Sequence, residues 1–367
     1  MTETPVSTSP AIQGALNGAR SRDFHRLTVK RVEPLTSDSA AITLSVPDDL
    51  TDAFAFAAGQ SLTIRRGEER RSYSICAQVG SAPRIGVREV AGGAVSGWLV
   101  HELSAGDTLE VQVPSGTFTP DLSVAGHHVL IAAGSGITPM MSIAASILAA
   151  DATSTVTLLY GNRRSDTVMF SDEVADLKDA HPVRMRIVHV LSREPQEVEL
   201  FSGRLDAPRL TELLPVTVDV PDVDHWWLCG PFEMVTGAIS VLQSLGVDRA
   251  RIHRELFWVG DDPPVEATHE DAPVGDGASL TVVLDGRSST LTLPAGTPIL
   301  DGAQRSRPDL PFACKGGVCG TCRAKVLTGA AVMRRNYALE TNEVEAGYVL
   351  TCQALPQTDE ITVDYDA

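Results

Sequence analysis

A chain of 367 residues with a net charge of −17 and 43% hydrophobic residues is long enough for two or three packed domains and too acidic to hold a nucleic-acid backbone by charge. No apolar run approaches the roughly 18 residues that a membrane span requires, so no membrane partner is expected. Six cysteines, four of them in one motif, suit a reducing compartment such as the cytoplasm better than a disulfide scaffold.

Residues 1–22 open on a polar stretch with no basic segment followed by an apolar core, and are expected to form a disordered leader rather than a signal peptide. Over residues 23–120, short apolar runs alternate with turn residues: Leu27–Val32, Ala41–Val46, Ser61–Ile64, Arg71–Cys76, Ile85–Val90 and Thr108–Val113. That spacing predicts an antiparallel β-barrel. Two stretches carry chemistry. In Arg71-Ser72-Tyr73-Ser74, the planar fork of Arg71 suits a phosphate and Tyr73 can stack on a flat ring. In Gly92-Gly93-Ala94-Val95-Ser96, a glycine turn leads into a helix start whose N–H groups suit a pyrophosphate. Taken singly, each reads as readily as an ordinary strand edge or loop.

Over residues 121–257 the period changes to alternating strand and helix, which predicts a parallel α/β sheet. The strand His128–Ala133 runs into Gly134-Ser135-Gly136-Ile137-Thr138-Pro139 and a helix, Met140–Ala150. Strand, glycine turn and helix present backbone N–H groups and a helix dipole to a pyrophosphate. Pro139 suits a first helical turn. Arg163, then Ser192-Arg193, then Cys229-Gly230-Pro231 follow the next three strands, at the carboxyl edge where such sheets bind ligands. Arg163 and Arg193 also read as solvated loop charges, and Phe257, after the last strand, as plain core.

Residues 258–277 carry six acidic residues and three prolines but no Lys or Arg. They read as a solvated linker, either letting the last domain move or packing along one face. Residues 278–367 begin with a hairpin, Leu280–Leu284 and Ser289–Leu293, around Asp285-Gly286. A short helix is expected at Pro298–Ser306, strands at Arg323–Leu327 and Ile361–Tyr365, and an acidic helix at Glu343–Ala346. Between them lies Cys314-Lys315-Gly316-Gly317-Val318-Cys319-Gly320-Thr321-Cys322, with Cys352 after 29 further residues. C-x4-C-x2-C followed by a distant Cys is the plant-type [2Fe–2S] spacing. The glycines let the chain wrap tightly and expose N–H groups to the cluster sulfurs. A structural zinc site favours two short matched pairs instead. Lys315, Arg334 and Arg335 lie near this loop and read either as a docking face for an acidic partner or as solvated surface.

Together and in this order the motifs resemble the ferredoxin–NADP reductase superfamily with a C-terminal β-grasp ferredoxin domain. The resemblance implies that Arg71, Tyr73, Ser74, Gly93, Val95 and Ser96 contact a flavin, FAD rather than FMN. It implies that Gly134, Gly136 and Thr138 hold the dinucleotide pyrophosphate. Ser192 and Arg193, with Arg163, would grip the 2′-phosphate of NADPH, favouring it over NADH. Cys229 and Gly230 would lie near the nicotinamide, and Phe257 would shield the flavin ring. Ser74, Cys229 and Glu255 would position the reacting rings, with no general base needed. Cys314, Cys319, Cys322 and Cys352 would ligate the cluster.

A hydride carries two electrons and a [2Fe–2S] centre takes one, so a flavin belongs between them. The chain shows no haem, Rieske or di-iron signature of its own and needs a separate oxygenase as electron acceptor. Leu310-Pro311-Phe312-Ala313-Cys314, Asn336-Tyr337 and Tyr348-Val349-Leu350-Thr351-Cys352-Gln353 are similar to the reductase components of phenylacetyl-CoA epoxidases. This implies a di-iron oxygenase partner in phenylacetate degradation. One departure is Ala324, where some relatives are expected to carry a further, non-ligand Cys. The alternatives are a reductase for a Rieske hydroxylase of the ketosteroid 9α type, and a cluster-based redox sensor with little turnover.

Overall fold

The computed structural model describes residues 23–257, 277–339 and 341–367. The expected leader at 1–22 and nearly all of the expected linker at 258–277 lie outside the described residues.

The first sheet contains β1 (His25–Thr36), β2 (Ser39–Ser45), β3 (Ser61–Arg66), β4 (Glu69–Ser74), β5 (Arg84–Arg88) and β6 (Thr108–Val111), with helix α1 (Ala94–His101) between the last two. Its order is β4-β3-β6-β1-β2-β5, and every paired neighbour is antiparallel. Alternation drives it: Leu27 and Val29 point inward while Arg26, Thr28 and Lys30 are exposed, as a pleat with one buried face requires. Leu27, Ile42, Leu62, Ile64 and Leu109 fill the core behind it.

The second sheet is parallel: β7 (His127–Ala133), α2 (Ile137–Ala150), β8 (Thr155–Asn162), α3 (Ser171–Ala180), β9 (Met185–Leu191), α4 (Ala207–Thr217), β10 (His225–Gly230), α5 (Phe232–Ser244) and β11 (Ile252–Leu256). Its order is β11-β10-β7-β8-β9. In β7, His128 through Ala132 are all buried, because helices cover both faces of a parallel sheet. The order reverses between β7 and β10, so a crevice opens at their carboxyl ends. Trp226 and Trp227 of β10 face opposite sides and are both buried; truncating either to Ala costs about 3–5 kcal/mol.

The third sheet contains β12 (Ala278–Leu284), β13 (Arg287–Leu293), β14 (Arg323–Thr328), β16 (Tyr348–Leu350) and β18 (Glu360–Asp364), in the order β13-β12-β18-β14-β16. A side ribbon pairs β15 (Ala331–Met333) with β17 (Ala354–Pro356). Helices α6 (Ile299–Ala303) and α7 (Thr341–Glu345) complete this region. At the expected hairpin, Asp285 and Gly286 both have positive φ, 53° and 67°, the geometry of a two-residue turn matched to strand twist. The helix expected at Pro298–Ser306 is shorter, since Pro298 caps it and its regular part ends at Ala303. Ala324 is buried in the third core.

The first two regions share one core. Ala41, Ala58, Cys76 and Phe118 cluster with residues of α2, β8 and β10. Arg84 makes a two-pronged contact to Glu173 at 2.6 and 2.8 Å. Gly86 lies so close to Thr138 and Phe170 that any Cβ there would clash. No helix among the described residues is long and apolar enough to cross a membrane.

Candidate flavin, nicotinamide and cluster sites

Three residues from distant parts of the chain meet where the first and second sheets join. Ser74 ends β4, Cys229 lies near the end of β10, and Glu255 stands opposite Cys229 in the β10–β11 register. Ser74 Oγ donates to Glu255 Oε2 at 3.1 Å, and Cys229 Sγ lies 3.9 Å from the same oxygen. Burial pushes the Glu255 carboxyl up to about 7, against the two hydrogen bonds it accepts. Burial, reinforced by Glu255, raises the Cys229 thiol well above its ordinary value, so it keeps its proton at neutral pH.

On the first sheet, Arg71 is exposed, pairs with Glu69 at 2.7 Å and donates to the Arg70 carbonyl. Tyr73 is partly buried, and that burial raises its phenol. Gly93 caps α1, and Val95 and Ser96 are buried in its first turn. Ser96 Oγ accepts the Val90 N–H at 3.0 Å and lies 3.4 Å from the Gly93 carbonyl. Its hydroxyl therefore folds the loop back, leaving the N–H groups of the helix start as donors for a ligand.

On the second sheet, Gly134–Gly136 forms a single tight turn into α2. A Cβ at Gly136 would drive into the Cys229 carbonyl, so only glycine permits this turn to lie against β10. Thr138 is buried and donates to the Ser135 carbonyl at 3.0 Å. The β8 and β9 ends are stitched together: Ser192 N–H donates to the Asn162 carbonyl and Arg193 N–H to the Arg163 carbonyl. Arg163 and Arg193 are both exposed, and neither is drawn into an ion pair among the described residues. Phe257 N–H donates to the Gly230 carbonyl at 3.1 Å, and its side chain packs against the core shared by the first two regions.

The four cysteines of the last region come together as two pairs. The thiols of Cys314 and Cys319 lie within reach of each other, as do those of Cys322 and Cys352. The pairs also lie within electrostatic reach of each other. The neighbouring Cys319 thiol, with backbone N–H groups of Gly316, Val318 and Cys319, lowers the Cys314 thiol below its ordinary value. Gly316 N–H reaches Cys314 Sγ at 3.3 Å, and Thr321 Oγ1 lies 3.1 Å from Cys319 Sγ. Among the described residues no three His, Cys, Asp or Glu side chains surround a single ion. Two thiol pairs ringed by N–H donors suit a two-iron cluster better than one tetrahedral zinc. Cys314 and Cys319 are exposed, whereas Cys322 and Cys352 are buried.

Of the cations near the loop, Lys315 is exposed and its ammonium is held by Asp301 at 2.9 Å and Gln304 at 2.8 Å. Arg334 likewise donates to the Gly296 carbonyl at 2.9 Å. Sequence reading also passed over residues around the loop. Gln353 donates to the Lys315 carbonyl at 2.7 Å, and Arg70 reaches across to the loop from β4. The only signal for Arg70 was its place beside Arg71.

Comparison with known proteins agrees with this layout. Residues 130–239 match the oxidoreductase NAD-binding domain family, and residues 282–357 match the 2Fe-2S iron-sulfur cluster binding domain family. The chain is 42% identical over 352 residues to a component of the 1,2-phenylacetyl-CoA epoxidase of Escherichia coli, covering 94% of this chain and 98% of that protein. It is 34% identical to the ferredoxin reductase component of 3-ketosteroid-9-alpha-monooxygenase of Rhodococcus rhodochrous, covering 92% and 96%. The solved structure of phthalate dioxygenase reductase shares its fold at a TM-score of 0.58 and 23% identity, covering 97% of this chain and all of that one. The carboxyl-terminal region is thus a [2Fe–2S] ferredoxin domain behind a flavin- and NAD-binding reductase fold.

Proposed function

Because this chain belongs to the family of oxygenase reductase components that includes its 1,2-phenylacetyl-CoA epoxidase relative, we propose that it takes electrons from NADPH through FAD and a [2Fe–2S] cluster to a di-iron oxygenase that epoxidises the ring of phenylacetyl-CoA. What carries this reading is the meeting of Ser74, Glu255 and Cys229 between the first two sheets, with the three-cysteine loop and Cys352 together in the third region. When bound, the flavin takes up two electrons as a hydride and releases them singly, and the cluster carries one at a time.

The units run over residues 23–120, 121–257 and 278–367. The first is a flavin-binding barrel, a reading supported by the Ile75–Ile85 bridge between the chain just past β4 and edge strand β5. The last is a β-grasp, supported by the parallel pairing of β12 with β18 inside an otherwise antiparallel sheet. Arg71 exchanges Glu69 for a flavin phosphate, and Tyr73 lies against the flavin ring. The helix start at Gly93, Val95 and Ser96 receives the pyrophosphate of FAD, a group that FMN lacks.

Gly134, Gly136 and Thr138 shape the turn that holds the NADPH pyrophosphate. Arg163, Ser192 and Arg193 hold its 2′-phosphate, and the exposure of the two arginines on stitched strand ends supports that role over NADH binding. Cys229 and Gly230 border the nicotinamide, and Phe257 closes over the flavin. Ser74, Cys229 and Glu255 orient the two rings, and ionised Glu255 favours the positive charge that grows on nicotinamide as hydride leaves. Cys314, Cys319, Cys322 and Cys352 would together hold the cluster. Unpaired thiols throughout the described residues support a reducing, cytoplasmic setting.

The test is reconstitution. Purified full-length protein should contain flavin and two irons, and with NADPH should drive epoxidation of phenylacetyl-CoA by the epoxidase's oxygenase subunits. The 34% identity to a ketosteroid monooxygenase reductase makes the Rieske hydroxylase of that system the control acceptor. Stronger coupling to the hydroxylase would reassign the partner. Negligible NADPH turnover with any acceptor would leave a redox sensor.

A further inference from the structure

Arg70 is a buried cation, 9% exposed, on the strand that also carries Arg71, Tyr73 and Ser74. No carboxylate among the described residues pairs with it; Glu68 and Asp309 act only from longer range. Instead its guanidinium crosses 240 residues of sequence. One nitrogen donates to the Leu310 carbonyl at 3.2 Å and the other to the Pro308 carbonyl at 3.1 Å. Its central carbon lies 4.5 Å from the centre of the Phe312 ring and 5.2 Å from that of Phe24. A buried cation without an ionic partner is costly and persists only where its hydrogen bonds are well made.

The receiving loop is built for this contact. Arg307 pairs with Asp309 at 2.8 Å, and its N–H donates to the Ala303 carbonyl. That bracing leaves the carbonyls of Pro308 and Leu310 available to Arg70. Phe312, which Arg70 covers, is two residues before Cys314.

A second contact grips the other side of the loop. Tyr337 is buried and meets Phe232 edge to face at 5.1 Å. Phe232 opens α5, directly after Cys229-Gly230-Pro231. Tyr337 N–H donates to the Gly317 carbonyl, and Val318 packs against the same core of the second sheet. The loop bearing Cys314 and Cys319 is thus held from the first sheet at Phe312 and from the second at Tyr337.

We propose that Arg70 and the Phe232–Tyr337 pair form a two-point latch that seats the cluster loop against the flavin and nicotinamide regions, making Arg70 a positioning residue for electron passage between flavin and cluster. The proposal rests on the flavin and cluster sites proposed above. On this reading the last domain works docked against the first two regions. When both groups are bound, the flavin would give its electrons one at a time to the cluster, and Arg70 itself is neither oxidised nor reduced. It acts by holding Pro308–Phe312 in place.

The experiment compares full-length wild type with Arg70→Gln, Arg70→Lys and Tyr337→Ala. Amide hydrogen exchange over residues 308–319, read by mass spectrometry, reports the latch whether or not cofactors are loaded. Exchange there should speed by about tenfold or more in Arg70→Gln and in Tyr337→Ala, while β7 and β8 stay protected. Arg70→Lys should fall between, since an ammonium keeps the charge but loses the fork. Anaerobic rapid mixing with NADPH then separates two rates. Flavin reduction should stay within about twofold of wild type, whereas reduction of the cluster should slow several-fold in Arg70→Gln and less in Arg70→Lys. Unchanged exchange, or unchanged cluster reduction despite faster exchange, overturns the latch. A wild-type protein whose flavin is not reduced by NADPH at all overturns the proposed function instead, and the exchange data still judge the latch.

Discussion

Ser74 Oγ and Glu255 Oε2 are 3.1 Å apart although 181 residues separate them in sequence. That bond ties the end of β4 in the antiparallel sheet to β11, the last strand of the parallel sheet. It also places a carboxyl that titrates near neutrality where hydride transfer is proposed to occur.

Glu255 should therefore impose a pH step on the reaction. The carboxyl sits at about 7 in the fold, and its ionised form favours the cationic nicotinamide product. NADPH-driven ferricyanide reduction should rise through pH 7 in wild type. Glu255→Gln should remain flat and run about tenfold slower at pH 8. Stability has the opposite sign. The unfolded carboxyl ionises at lower pH, so Glu255 favours the fold most below about pH 4.5 and loses that effect as pH climbs toward 7. Denaturant melts of wild type and Glu255→Gln across that window should converge at low pH, and parallel curves would count against the assignment.

His128 should govern acid sensitivity elsewhere. It accepts the Trp227 indole N–H at Nδ1 at 3.2 Å and stacks on His225, so it must stay neutral there. Burial, with His225 nearby, lowers it to about 4. An unfolded histidine takes up a proton near 6.5, so stability should fall as pH drops from about 6.5 to 4, by roughly 3 kcal/mol at most. His128→Gln should flatten this part of the stability–pH curve.

Cys319→Ser should remove iron but spare flavin chemistry. The variant loses one thiol of the exposed pair, and metal analysis should show loss of the cluster. Ferricyanide reduction should persist while transfer to the oxygenase stops. Loss of both would mean that the cluster does not follow the flavin.

Arg193→Ala should act on the choice of nucleotide. A charge-assisted phosphate contact of about 1.5–3 kcal/mol corresponds to a rise of ten- to a hundredfold in KM for NADPH, with KM for NADH little changed. An unaltered preference would free Arg193 from this role and leave it a solvated charge.

Much of the architecture was open to direct reading. Alternating apolar positions in β1 and continuous apolar positions in β7 answer to how many faces each strand buries, and that is local information. The three-residue strands Ala331–Met333, Tyr348–Leu350 and Ala354–Pro356 were missed, because three residues cannot display a period. The region of α6 brings Asp301 and Gln304 to the Lys315 ammonium, a pairing that no local pattern displays.

The order of residues by itself determined the cysteine spacing, the strand–glycine–helix turn and the Asp285-Gly286 hairpin, since ligand reach and backbone sterics act over a few bonds. Only the tertiary structure decided that Arg70 grips Pro308 and Leu310, that Phe232 meets Tyr337, and that Ser74, Cys229 and Glu255 share one junction. These contacts join segments from separate sheets, and a side chain's energy there depends on what the packed chain brings within a few ångströms of it, which no local pattern encodes.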